Sequence, residues 1–225
     1  MKILSIIPAR KNSKRIKNKN KILIKNKMMI EHTFLVAKKS KIFTNIMLTS
    51  DDEQIIKLAK KYEILAPWLR PKNLSNDFTP SYKVILHAYE WYENNYEKVD
   101  GIFILQPTSP FRKLSTIMKM VKIFKNSKKK SVINISKCNE HPEWMVKLRN
   151  NRMTPYMSSK YFKVRSQSLK KLYRINGLGY LISPSILKKE KTLVPRNSIP
   201  CINYSKIESI DIDDFEDYIL AKNLI

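Results

Sequence analysis

Apolar residues along the chain come in short bursts separated by charged runs, and the spacing inside each burst predicts its structure. Residues 2–7, KILSII, read as a buried strand, followed by the polar loop ARKNSKRIKNKNK and then by MMIEHTFLVAKKSKIF (28–43), whose apolar positions recur at helical spacing. NIMLTS (45–50) predicts a second strand ending at Asp51 and Asp52, where Ser50 or Asp51 can cap the helix DDEQIIKLAKKY (51–62). A helix over SYKVILHAYEWYENNY (81–96), a buried strand opening GIFILQPTSP (101–110), a helix over LSTIMKMVKIFKNS (114–127) and a strand SVINIS (131–136) follow. SIDIDDFEDYILAKNLI (209–225) predicts a final strand and helix. Alternating strands and helices with brief connections imply an α/β fold of three layers, a mainly parallel sheet covered on both faces. The periodicity lapses between about 137 and 175, which predicts an insertion projecting from a single domain spanning 1–225.

Composition narrows the classes. Lys and Arg number 44 against 19 Asp and Glu, a net charge of +25 that points to an anionic partner. The same lysine-rich bias runs through helices and loops alike, so the total charge says less than its clusters do. Hydrophobic residues at 43% exclude a disordered, charge-dominated chain. Cys138 and Cys201 lie far apart with no C-x-x-C, so neither a disulfide framework nor a zinc site is expected and a reducing, cytoplasmic setting is. No apolar run approaches the roughly 18 residues of a membrane span.

Ligands in such folds bind at the carboxyl ends of the strands. Arg10, Lys14 and Lys19 fall there, after the first strand, where they form either a solvated basic face or a cradle for a compact anion. The loop has neither a Walker pattern nor a G-x-G-x-x-G turn. In SIDID the alternation puts Asp211 and Asp213 on one face and Ile210 and Ile212 on the other. Paired carboxylates suit a Mg²⁺ that also meets substrate phosphates, and equally suit an acidic helix start. ILQPTSPFR (104–112) is a proline-bounded loop that either aims Gln106 at a ligand or is an ordinary turn. YRINGLGY (173–180) holds two of the chain's three glycines, a mark of special backbone angles or close approach. His32, His87 and His141 have no nucleophile paired to them by any motif and read as structural, and Trp68, Trp91 and Trp144 as core or interface residues.

Taken in order, these stretches resemble the N-acylneuraminate cytidylyltransferase (CMP-sialic acid synthetase) family. IPARKNSKRIKNKN is similar to its signature loop I-P-A-R-x-x-S-K-x-I-x-x-K-N, LRPKNLSNDFTPS (69–81) to its base-binding segment, ILQPTSP to its central loop, RSQSLKKLYRING (165–177) to its sugar-side segment and SIDID to its metal-binding strand. The resemblance implies a Rossmann-like, nucleotide-diphospho-sugar transferase fold acting as a homodimer, with the 137–175 insertion reaching the partner. The implied reaction couples CTP to a nonulosonic acid of sialic or legionaminic type, giving the CMP-sugar and pyrophosphate. Carried over residue by residue, Arg10, Lys14 and Lys19 hold the triphosphate, and Arg10, Asn20, Arg70, Thr79 and Ser81 address the nucleotide. Gln106, Arg174, Asn176 and Tyr180 face the sugar acid, and Asp211 and Asp213 bind Mg²⁺, with Asp211 also catalytic. Asn12 and Arg15 replace the family's usual glycines around the signature Ser-Lys, a departure that bears on backbone contacts to phosphate, while Ser166 in place of an arginine and N-G-L-G-Y in place of N-G-A-x-Y bear on the sugar's identity.

Two other readings compete. A 3-deoxy-manno-octulosonate cytidylyltransferase is disfavoured because its central loop carries acidic residues where LQPTSP stands. A basic nucleic-acid-binding protein would show steeply salt-dependent duplex binding. No nucleic acid and no membrane insertion are expected.

Overall fold

The computed structural model describes residues 1–127 and 131–224. In chain order the strands and helices are β1 (Ile3–Ala9), β2 (Leu23–Ile24), β3 (Lys27–Met28), α1 (Met29–Ser40), β4 (Asn45–Ser50), α2 (Glu53–Lys61), α3 (Ser81–Asn95), β5 (Gly101–Ile104), α4 (Leu114–Asn126), β6 (Ser131–Lys137), β7 (Val146–Arg149), β8 (Arg152–Pro155), β9 (Tyr173–Ile182), α5 (Pro184–Glu190), β10 (Ile199–Asn203) and α6 (Phe215–Asn223). Six strands form one sheet in the order β10-β6-β9-β5-β1-β4. Every neighbouring pair is parallel except the two that β9 makes, so the sheet is mixed and mainly parallel.

Alternation along β1 explains the layers. Ile3, Ile7 and Ala9 pack with Ile30 and Phe34 of α1, Ile55 of α2 and Met120 of α4, while Leu4 and Ile6 pack with Ile85 and Tyr89 of α3 and Leu187 of α5. Helices therefore cover both faces, as the alternation of elements predicts. Trp68 and Trp91 join the second of these cores, with ring centroids 4.7 Å apart, whereas Trp144 is partly exposed.

The structure departs from the sequence expectation in several places, among them α5 and β10, which form where no element is predicted. Residues 209–213 are not a strand; the last strand is β10, earlier in the chain. The segment still alternates: Ile210 and Ile212 pack inward with Ile24, Met29 and Ala221, and the Ile212 amide donates to the Thr108 carbonyl at 2.8 Å. That bond holds the acidic segment to the central loop instead of to a sheet. YRINGLGY lies within β9, a strand wedged antiparallel between β5 and β6. Asp52 caps α2, accepting from the Gln54 amide at 2.9 Å, while Ser50 accepts from the Asp52 amide and Asp51 turns elsewhere.

Between β6 and β9 the chain leaves the sheet. The Cys138 amide donates to the Leu172 carbonyl and the His141 ring meets the Lys170 carbonyl, each at 2.9 Å, so the two ends of the excursion lie together. Among the described residues the β7–β8 hairpin within it forms a two-stranded sheet of its own. Among the described residues no helix is long and apolar enough to cross a membrane.

Candidate active site

The parallel strands β1, β4 and β5 all deliver their carboxyl ends to one edge of the sheet, and a cleft of about 600 Å³ opens there. Of the residues singled out from sequence, Arg10, Lys14, Lys19, Asn20, Arg70, Thr79, Ser81, Gln106, Asp211 and Asp213 all line it. Long-range folding thus joins segments more than two hundred residues apart around one space.

The basic loop is held in shape by polar contacts. Asn20 is buried and donates from its amide to the Arg10 carbonyl at 2.9 Å, which closes the loop on itself. Arg10 and Lys14 both pair with Asp77, Lys14 at 3.0 Å. Lys19 reaches Asp213 at 2.8 Å, and Arg15 reaches its other oxygen at 3.4 Å. Five cationic side chains (Arg10, Lys14, Arg15, Lys19, Arg70) face three carboxylates (Asp77, Asp211, Asp213) across the cleft, leaving a net positive lining suited to a polyanion.

On the second wall Arg70 is buried. Its amide donates to the Ser50 carbonyl at 2.7 Å, its Nε to Ser75 Oγ at 3.1 Å and its Nη2 to Asp51 Oδ1 at 3.2 Å. Asp51 Oδ1 also accepts the Lys11 amide at 2.8 Å, so one carboxylate joins the opening loop to the buried arginine. Thr79 Oγ1 bonds the Asn73 carbonyl and Asn76 Oδ1, at 2.9 and 3.0 Å, which shapes the turn leading to Ser81 at the start of α3.

Gln106, Thr108 and Asp211 form the floor. Gly177 adopts φ +73°, and a Cβ there would sit 2.9 Å from Gln106 Oε1 and 3.2 Å from Asp211 Oδ2, so the glycine leaves room for both side chains to converge. Gly179 serves differently, because a Cβ on it would lie 2.7 Å from Phe103 in the core. Burial pushes the Asp211 carboxyl above its usual range, against a hydrogen bond with Thr108, and among the described residues Asp211 Oδ1 is buried without a partner. Asp213 shifts the other way: burial opposes its charge, but Lys19 and Arg15 hold it below the ordinary value. A carboxylate with an unpartnered buried oxygen beside a second carboxylate fits a hard divalent cation that also takes oxygen ligands from phosphates.

Arg174, Asn176 and Tyr180 do not line the cleft. Asn176 has another use: its amide donates to Asn134 Oδ1 and Ser136 Oγ, both at 2.7 Å, and its own oxygen accepts the Leu178 amide. It thereby braces the bulge that presents Gly177. Arg174 donates to the Ser209 carbonyl at 3.4 Å, and Tyr180 is a core residue whose phenol is pushed up to about 12, by burial first and then by Asp211. Asp77 and Thr108 also line the cleft, and Asp51 stands behind it bonded to Arg70 and the Lys11 amide, although residue type alone does not mark them. Their only signal is position, beside Thr79, in the proline-bounded loop and at a strand end.

The family model described as "Cytidylyltransferase" matches residues 4–222. The chain is 31% identical over its whole length to the CMP-N,N'-diacetyllegionaminic acid synthase of Legionella pneumophila, covering 97% of that protein. It is 32% identical to the pseudaminic acid cytidylyltransferase of Campylobacter jejuni, covering 100% of this chain and 96% of that one. It is 31% identical over 98% of its length to the N-acylneuraminate cytidylyltransferase of Escherichia coli, of which it spans about half, 51%. A CMP:2-keto-3-deoxy-manno-octonic acid synthetase solved with CTP shares the fold, with a TM-score of 0.70 at 14% identity over 100% of this chain and 98% of that one. With a basic loop, a buried arginine and a carboxylate couple meeting at the strand ends, and a family match across nearly every residue, this chain belongs to the cytidylyltransferase family and is a nucleotidyltransferase of the acylneuraminate type.

Proposed function

We propose that the enzyme couples CTP to a nonulosonic acid, a nine-carbon 2-keto-3-deoxy sugar acid, releasing the CMP-sugar and pyrophosphate. The observation that carries this reading is the cleft itself, where the cations of the first loop and the carboxylates of the last segment face one volume large enough for a nucleotide and a sugar. The relatives named for legionaminic, pseudaminic and N-acylneuraminic acids support the sugar class, and near 30% identity they leave its member to experiment.

In the proposed reaction the anomeric hydroxyl of the sugar attacks the α-phosphate in line. The new bond joins that oxygen to phosphorus, the bond to the β-phosphate oxygen breaks, and pyrophosphate leaves with the electron pair. Such transfers need positioning and charge neutralisation more than covalent help from the protein. Arg10, Lys14 and Lys19 take the triphosphate and the departing pyrophosphate, exchanging their contacts with Asp77 and Asp213 for phosphate oxygens. Asn20, Arg70, Thr79 and Ser81 address the cytidine, and Gln106 the sugar acid. Asp211, which lines the cleft beside Gln106, accepts the anomeric proton. Mg²⁺ held by Asp211 and Asp213 would neutralise phosphate charge and polarise the α-phosphate.

Assembly belongs to the same proposal. The β7–β8 hairpin carries a cross-strand pair, Leu148 and Met153, that is 76% and 72% exposed, with Val146, Tyr156 and Phe162 nearby in sequence also exposed. We read it as the contact of a homodimer.

Pyrophosphate release tests the reading. Purified enzyme is supplied with Mg²⁺, each of the four nucleoside triphosphates, and a panel of legionaminic, pseudaminic, N-acetylneuraminic and 3-deoxy-manno-octulosonic acids. Turnover is expected with CTP and one nine-carbon acid. Turnover confined to the eight-carbon acid, or none with any, overturns it.

A further inference from the structure

We propose that Arg112 is a positioning residue of this enzyme, its buried guanidinium fixing the backbone of Gln106 and the β9 bulge at Gly177 and Leu178 to one another so that Gln106 meets the sugar acid in one orientation. The inference rests on the reading of Gln106 as a sugar-acid contact. Arg112 is only 4% exposed and lies outside the cleft lining, just before α4. Its donors fan out to separate parts of the fold: Nε to the Leu178 carbonyl in β9, Nη2 to the Gln106 carbonyl at 2.7 Å, and Nη1 to Thr33 Oγ1 in α1 at 3.3 Å. All three acceptors are neutral. Among the described residues Arg112 makes no ion pair, and burial pulls its pKa down to about 10, partly opposed by the more distant charges of Glu208 and Asp211.

An unpaired buried cation is a poor way to stabilise a core, since a well-packed apolar side chain avoids the desolvation. The placement of its acceptors gives Arg112 a different value. The carbonyls it holds belong to Gln106 itself and to the neighbour of Gly177, and Gln106 Oε1 approaches over that glycine to 2.9 Å from the position of a Cβ. Asn176 braces the bulge from the β6 side, and Arg112 ties it to the central loop. A planar guanidinium can serve three acceptors in fixed directions, whereas an ammonium on a flexible stem cannot.

Arg112→Lys keeps the charge and loses the fork, and it is combined with Gln106→Ala in a double-mutant cycle. With the sugar acid that the wild type turns over, R112K is expected to lower kcat/KM by about tenfold to a hundredfold. The same variant should leave CTP affinity, measured by calorimetry, within about twofold, and should add little to the loss of Q106A alone. A purely structural role predicts independent, multiplying losses, or CTP affinity falling in parallel, and either result overturns the assignment, as do wild-type kinetics for R112K. Thr33→Val withdraws one acceptor and keeps the guanidinium, so it carries the test should R112K not fold; a smaller loss confined to the sugar acid is expected, and unchanged kinetics overturn the proposal. Absence of wild-type turnover would instead sink the substrate reading, which keeps the two failures distinct.

Discussion

Asp211 is held in the cleft at a cost to stability. Its carboxylate is pushed up in pKa by burial and has an oxygen with no partner among the described residues, whereas Asp213 is held down by Lys19 and Arg15. A raised native pKa means the folded protein holds the proton more tightly than the unfolded chain, so ionised Asp211 subtracts stability as pH climbs through that raised value. Asp211→Asn should therefore abolish most turnover yet raise the melting temperature of the ligand-free protein at neutral pH, an advantage that fades in acid. Asp213→Asn should also cut turnover, but lose a half-exposed ion pair and melt slightly lower, by less than about 1 kcal/mol of stability. Calorimetric scans of both variants at neutral and acid pH check the contrast, and shifts of the same sign at neutral pH would refute it.

At the level of elements, β9 carries two glycines with separate duties. Gly177, at φ +73°, borders Gln106 and Asp211, while Gly179 faces Phe103 at 2.7 Å and the Met120 sulfur at 3.0 Å from its would-be Cβ. Gly179→Ala should overpack the core, at about 1–3 kcal/mol, with turnover of the folded fraction little changed. Gly177→Ala strains the bulge and intrudes between two proposed site residues, so turnover should fall out of proportion to stability, which costs about 1 kcal/mol or somewhat more. Denaturant titrations beside steady-state rates separate them, and the reverse ranking would contradict these roles. The glycines themselves were conspicuous in a chain that uses so few. The strand around them was not, because β9 is exposed over its first three residues and buried on both faces thereafter, which produces neither steady alternation nor a plain apolar run.

For the molecule as a whole, the excursion between β6 and β9 is the largest feature that the sheet does not explain. Its hairpin exposes Leu148 opposite Met153, and both side chains would gain from burial against a second copy. Each chain weighs 26.6 kDa, so the wild type should sediment as a particle of twice that mass, and Leu148→Ser with Met153→Ser should shift it to the single-chain mass. A wild type that sediments as a monomer, or a double variant that stays dimeric, removes this hairpin as the contact.

The sequence by itself determined the alternation of strands and helices, the basic loop at the end of the first strand, and the offset of Asp211 and Asp213 from Ile210 and Ile212. These are local periodicities, and they persist even where residues 209–213 prove not to be a strand. Only the tertiary structure decided that β9 enters the sheet antiparallel, that Asp77 pairs with Arg10 and Lys14, that Asn176 braces a bulge instead of facing the cleft, and that Arg112 holds Gln106 to Leu178. Such contacts join residues far apart in the chain, set by which buried polar groups must find partners once the sheet has formed, and that requirement leaves no repeating trace along the sequence.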